Sequence, residues 1–396
     1  MMKRVGIFAL IGSLLLVLLS PGLVQAQGGL TIAASSVDME FPAKIHFSLS
    51  ARSDADITDV RLYYTVERES FAQVTSEVYI EFVPATVVNA DWTWDMKKTG
   101  GLPTGASVRY WWIVKDANGD KAETTPASIR FDDKRYTWRS VTENNVTMYW
   151  YKGNQSFAGE LMSAAQQALT RLSKDTGAYL KAPVKIYIYA NSQDLQGAMI
   201  FPQEWTGGSA FTEFGIITIG IDTNNLDWGK LALAHELTHL VVHQMTFNPY
   251  IDLPTWLDEG LAMYNEGVLG ASFVGTLQRA LSANSLISVR SLASPFSANT
   301  NEALLAYAQS YSLIEFLVTN YGQSKMLGLL SAFKEGSSYD NALARVYEFD
   351  MDGLDTLWRN YVKKQYQQTG FSAPTSLPAG SLNCLYDRII SSASPV

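Results

Sequence analysis

Two histidines stand four residues apart in the segment His235-Glu236-Leu237-Thr238-His239. On a helix this spacing puts both imidazoles on one face, with Cβ atoms ~5–6 Å apart. Rings so placed can converge on one zinc ion at ~2.0–2.1 Å. Glu236 is turned by about 100° from His235, which sets its carboxylate beside the metal, within reach of a water held there. That is the equipment of general-base hydrolysis. The flanking residues, Leu231 to Ala234 and Leu240 to Val242, are apolar, so the helix is buried. Two histidines and a glutamate in such surroundings cost several kcal/mol unless compensated, and a divalent cation compensates. The chain has only 4 histidines in 396 residues, so a chance pairing at this spacing is rare. The plain alternative is a helix with two hydrogen-bonded histidines.

A zinc hydrolase also needs a third protein ligand and an open position for water. His243 continues the four-residue spacing, but it lies ~12 Å along the axis from His235 and is turned by about 80°. It is read as a supporting or solvent-facing residue. A better third ligand lies across the turn Asn248 to Pro254, where Pro254 suits the first turn of a second helix. In Trp256-Leu257-Asp258-Glu259-Gly260-Leu261-Ala262-Met263-Tyr264-Asn265-Glu266, Glu259 is an acid in an apolar helix, facing back towards the histidines. Glu266 lies on nearly the same face and is placed to orient a ligand histidine. Asp258 is read as exposed.

HExxH followed by WLxEGxAxYxE resembles the gluzincin metallopeptidases, the clan of thermolysin and the M1 aminopeptidases. The second motif is matched at Trp256, Leu257, Glu259, Gly260, Ala262, Tyr264 and Glu266. The resemblance implies a thermolysin-like domain in which His235, His239 and Glu259 hold one Zn²⁺ and Glu236 is the general base. The 19 residues between His239 and Glu259 are one more than M1 enzymes usually have. The segment Tyr307 to Leu313 resembles the stretch where those enzymes carry a tyrosine that stabilises the oxyanion. This implies Tyr307 for the role, with Tyr311 read as core and the choice between the two left open. No GxMEN segment is present; Gly207-Gly208-Ser209-Ala210 occupies a similar place, with Glu213 only nearby, so aminopeptidase specificity is not implied. The likeness spans residues 135–368 and is strongest to exported bacterial peptidase MA-like proteins.

The elements that must position these residues fall into two regions. Residues 28–132 show period-two alternation, as at Ile45, Phe47 and Leu49, with strand-like runs at Val60–Val66, Val78–Val83, Thr86–Trp94 and Val108–Lys115. A hairpin turn is expected at Asp116 to Asp120 because Asn-Gly tolerates positive φ. About seven short strands suggest an all-β sandwich that resembles immunoglobulin or fibronectin type III modules. Residues 135–368 begin with a hairpin around Glu143-Asn144-Asn145, continue with a helix through Leu161 to Leu172, and add strands at Pro183–Ala190 and Phe214–Ile221. Nearly all of Leu226 to Gln368 reads as helix, giving an α+β domain. The strand at 214–221 is expected to offer its edge to an extended substrate backbone.

The remaining features bound location and partners. Lys3-Arg4, the apolar run Val5–Leu19 and the small residues at Val24 and Ala26 read as a signal peptide over residues 1–26. Secretion is expected, an uncleaved membrane anchor being the alternative, and residues 369–396 read as a tail. The chain has 30 basic and 38 acidic residues and no basic cluster, so nucleic acid is excluded as a partner. A single cysteine, Cys384, rules out an intrachain disulfide and any thiolate zinc site. The function read from these residues is zinc-dependent hydrolysis of a peptide or protein substrate. The alternatives are a zinc hydrolase of non-peptide bonds, or a silent surface-binding protein that uses the aromatics Trp92, Trp94, Trp111 and Trp112 for adhesion or glycan contact. Mn²⁺ or Co²⁺ could replace zinc at such donors in vitro.

Overall fold

The computed structural model describes residues 29–202 and 207–367. The expected signal peptide at 1–26, the tail at 369–396 and Cys384 lie outside the described residues. The first region is built by seven strands: β1 (Thr31–Glu40), β2 (Lys44–Glu67), β3 (Thr75–Tyr79), β4 (Ala85–Asp95), β5 (Ala106–Asp116), β6 (Lys121–Glu123) and β7 (Ala127–Phe131). They are not uniformly short. Strand β2 runs for 24 residues and links all the others into one continuous sheet. Its first half, Lys44 to Arg52, lies between β1 and β4; its second half, from Ile57, lies between β5 and β3. Register shifts between Arg52 and Asp59 mark the bend between the halves, as bulges do where a strand changes direction.

Alternation on β2 and β5 buries Ile45, Phe47, Leu49, Val60, Leu62, Val108, Trp112 and Val114 in one core. Trp94 and Trp112 belong to that core and Trp92 packs against it. Trp111 is half-buried and stacks on its cross-strand partner Tyr63, ring centroids 5.6 Å apart. The turn between β5 and β6 closes as its sequence dictates. Gly119 has φ 87°, and the Asp116 carboxylate accepts from the backbone N–H groups of Asn118 and Asp120.

A second, mixed sheet follows: β8 (Arg139–Glu143), β9 (Val146–Trp150), β10 (Val184–Tyr189), β11 (Gly208–Phe211) and β12 (Ile216–Gly220), in spatial order β11-β12-β10-β9-β8. The hairpin at Asn144 joins β8 to β9, while β9, β10 and β12 run parallel and β11 is antiparallel on the edge. The expected strand at 214–221 is therefore corrected. A 3₁₀ turn takes Thr212–Phe214, and β12 is interior, paired on both sides. The edge belongs to β11. Buried polar groups bind the two sheets together: the Tyr189 hydroxyl donates to Asp133 at 3.1 Å and bonds Thr104 at 2.8 Å.

The described residues also form eight α-helices: α1 (Gln155–Thr176), α2 (Ser192–Gln196), α3 (Leu226–Thr246), α4 (Thr255–Glu266), α5 (Ala271–Ser282), α6 (Thr300–Lys334, broken at Gly322), α7 (Tyr339–Tyr347) and α8 (Met351–Gln367). From Ala232 onward helix α3 is buried nearly all round, the pattern of a helix enclosed by its neighbours. Leu233, Leu237 and Leu240 join the core beneath the mixed sheet, whereas Val241, Val242 and Met245 join the helical core with α4 to α8. Helix α4 approaches α6 closely at Gly260, where a Cβ would come within 2.6 Å of the Ser310 carbonyl oxygen. Only glycine fits there.

Candidate active site

Helix α3 buries His235, Glu236 and His239, and α4 buries Glu259 opposite them. The Glu259 Oε2 atom lies 3.5 Å from His235 Nε2 and 3.8 Å from His239 Nε2. One ligand atom from each of the three residues lies within 4.8 Å of the others. None of these three buried atoms has a hydrogen-bond partner. Native interiors satisfy nearly all buried polar atoms, so three orphans converging on one point are the signature of a cation site. The donor set of two imidazoles and one carboxylate suits zinc.

The opposite ring nitrogens are held. His235 Nδ1 lies 2.8 Å from Glu266 Oε1, and His239 Nδ1 lies 3.0 Å from Asp258 Oδ1. Each contact fixes a ring so that Nε2 points into the site, the usual support for a metal-binding histidine. Glu266 thus sits where its spacing put it. Asp258 is partly exposed, its side chain 37% accessible, and it is also committed to His239, a contact not expected from the sequence. One signal in the sequence pointed to it. A second ligand histidine needs its own acceptor, and Asp258 is the only acid of α4 besides Glu259 and Glu266.

These carboxylates set the proton affinity of the rings when no metal is bound. Burial opposes charge on His235, but Glu259 and Glu266 outweigh it and raise its pKa to about 10. Burial likewise opposes charge on His239, and the attraction of Asp258 raises it to about 9. The Asp258 carboxyl is pushed up by burial and pulled further down by His239, so its net shift is downward. The site is built to hold positive charge.

The positions of α3 and α4 are tied by a buried bridge that sequence reading missed. Thr238 donates to the Ala234 carbonyl and accepts from Asn265 Nδ2 at 2.8 Å. The turn between the helices is stapled by Asn248, whose side chain bonds Thr246, Tyr250 and Ile251. The chain register of Glu259 and Glu266 against the histidines follows from both.

A cleft of about 410 Å³ opens onto this centre, lined by Glu236, His239 and His243 of α3 and by Ser209, Ala210 and Glu213 along β11 and the turn after it. Glu236 faces β11 at Gly208, where a Cβ would stand 3.2 Å from Glu236 Oε1. His243 lies in the cleft one turn beyond His239, its Nε2 unpartnered, and is not grouped with the three donors. Tyr307 is buried on α6, edge-on to Phe296 at 5.1 Å, and is not among the described residues lining the cleft. Tyr311 is buried one turn later against Tyr264, and burial pushes its hydroxyl pKa upward.

A family model described as Peptidase MA superfamily matches residues 164–364, just over half of the chain. The chain belongs to the Peptidase MA superfamily. Among solved structures, an M1 zinc metallopeptidase from Deinococcus radiodurans is 13% identical; the match covers 89% of this chain and 97% of that one, with a TM-score of 0.38. Legionella pneumophila aminopeptidase A is 10% identical over 84% of this chain and 49% of its own, TM-score 0.37. OgpA from Akkermansia muciniphila, in complex with an O-glycopeptide, is 13% identical over 29% of this chain, TM-score 0.21. The chain spans about a third, 32%, of the length of that OgpA chain. No curated protein matches the chain. Zinc is the ion that superfamily membership and the His235–His239–Glu259 grouping both indicate.

Proposed function

We propose that this protein is an exported zinc-dependent peptidase. The observation that carries the reading is the convergence of three buried, unpartnered donor atoms at the floor of a cleft that also contains Glu236. His235, His239 and Glu259 would hold the ion, with Glu266 and Asp258 fixing the two rings. When bound, zinc lowers the pKa of water and polarises a carbonyl. Glu236 takes a proton from the attacking water and returns it to the leaving amine, a role worth typically ~10²–10⁴-fold. The edge of β11 that borders the cleft binds an extended substrate backbone by strand addition. Tyr307 is assigned to the oxyanion by its resemblance alone.

Residues 28–132 are read as an accessory module of immunoglobulin or fibronectin type III type, and residues 1–26 as the export signal. No described helix is long and apolar enough to cross a membrane. A silent adhesion protein would have no use for Glu236 beside the donor cluster. The half-buried Tyr63–Trp111 stack is the surface feature that would suit glycan contact. The test is elemental analysis of purified protein, followed by hydrolysis of casein and a peptide library with and without chelator. Glu236→Gln should keep stoichiometric zinc and lose hydrolysis by at least a hundredfold. Zinc-free protein, or full activity in that variant, would overturn the reading.

A further inference from the structure

The cleft has two long walls that run side by side. On the helix wall, Glu236, His239, His243 and Phe247 follow one another at roughly one-turn steps towards the C-terminus of α3. On the strand wall, β11 starts at Gly208 beside Glu236 and leads through Phe211 to Glu213. Both walls end at one loop of the N-terminal β region, Arg68 to Val74 between β2 and β3. The Arg68 guanidinium donates to the Glu213 carboxylate at 2.8 Å, and the Glu69 N–H donates to the Glu213 carbonyl at 2.7 Å. The Phe71 ring stacks on Phe247 with centroids 4.2 Å apart and planes within 3°. One short loop therefore grips the strand wall by charge and backbone, and the helix wall by an aromatic face.

We propose that this loop is a specificity element of the substrate cleft. Phe247, which lines the cleft with Ile251 and Leu253, and the Phe71 ring stacked on it form a subsite for an apolar, preferentially aromatic side chain of the peptide. The proposal rests on the peptidase reading above and names part of its substrate. Its distance from the reacting bond follows from geometry. Phe247 is eight residues beyond His239, about 12 Å along the helix axis. A peptide extended along β11 advances ~3.3 Å per residue. The preferred residue thus lies three to four positions from the bond that is cut. Phe71 is 58% accessible, which leaves much of its surface open to a ligand. At the near end of the cleft stand the acidic Glu236 and Asp258, so the apolar preference belongs to the Phe247 end.

The test has two arms. In the first, the full chain is incubated with a proteome-derived peptide library and the cleaved positions are read by mass spectrometry. In the second, the zinc-loaded Glu236→Gln variant binds labelled peptides carrying Phe or Gly at successive positions, followed by fluorescence anisotropy. Phe71→Ala should reduce the preference for Phe over Gly at the distal position from about tenfold to less than twofold in both arms. Phe71→Leu, which keeps apolar bulk, should retain an aliphatic preference while losing the aromatic one. Val83→Ala, an exposed position elsewhere in the same region, is the control and should match the parent. Unchanged preference in Phe71→Ala, with the same melting temperature as the parent, overturns the proposal. If the parent cleaves nothing but still binds Phe peptides in a Phe71-dependent way, the peptidase reading fails and the loop's role stands.

Discussion

Removing the carboxylate behind each histidine should weaken zinc binding by unequal amounts, and the structure sets the order. Glu266 is the more buried support, 8% accessible and 2.8 Å from His235, whereas Asp258 is 37% accessible and 3.0 Å from His239. Loss of an outer acceptor typically costs about 10–100-fold in metal affinity, which is ~1.4–2.7 kcal/mol. A buried, charge-assisted contact is worth more than one screened by solvent. Glu266→Ala is therefore expected near the hundredfold end, and Asp258→Ala near tenfold. Competition titration against a chromophoric zinc chelator at pH 7 gives both affinities directly, with thermal unfolding of the metal-free proteins as a check on folding. An Asp258→Ala defect equal to or larger than that of Glu266→Ala would refute the reasoning. So would two intact affinities.

Three further outcomes follow. Because His235 and His239 have pKa values of about 10 and about 9 without metal, both rings carry their second proton at pH 7, and zinc must displace it. Calorimetry in buffers of different ionisation enthalpy should show proton release on zinc uptake, and apparent affinity should climb as pH rises towards about 9 to 10; no release at pH 7 would contradict the site. The sign for folding is opposite: raised histidine pKa values stabilise the metal-free protein below the ordinary value of about 6.5, and that contribution is lost as pH rises through about 9 to 10. Thr238→Val leaves the Asn265 amide without its buried acceptor and should cost about 1–3 kcal/mol, read as a lower urea midpoint with unchanged slope. Gly260→Ala forces a Cβ against the Ser310 carbonyl and should cost about 1–3 kcal/mol by overpacking, with weaker zinc binding because Glu259 is the neighbouring residue; an unperturbed melting curve would show that α4 and α6 yield more easily than their contact implies.

The donors were legible because metal chemistry imposes spacing. A four-residue step from one imidazole to the next, and an acid in an otherwise apolar helix, are constraints that a local pattern displays. The mixed sheet's hairpin and the run of helices were legible for a similar reason, since period and turn chemistry are local. What was hidden is what depends on pairing across the chain. Alternation in β2 marks its inward face, but nothing in it reveals that one strand serves both halves of a sheet. Whether β11 or β12 forms the edge depends on hydrogen bonds to β10, some 30 residues away. Asn265 looked like an ordinary polar position because its partner, Thr238, lies on a different helix.

Helix α3 contributes side chains to two separate apolar cores, one under the mixed sheet and one among the helices. It acts as a beam between the two, as helix α1 also does, with Leu161 and Ala165 in the first core and Leu172 in the second. An ion gripped by His235 and His239 on that beam, and by Glu259 on the next helix, therefore fastens the seam itself.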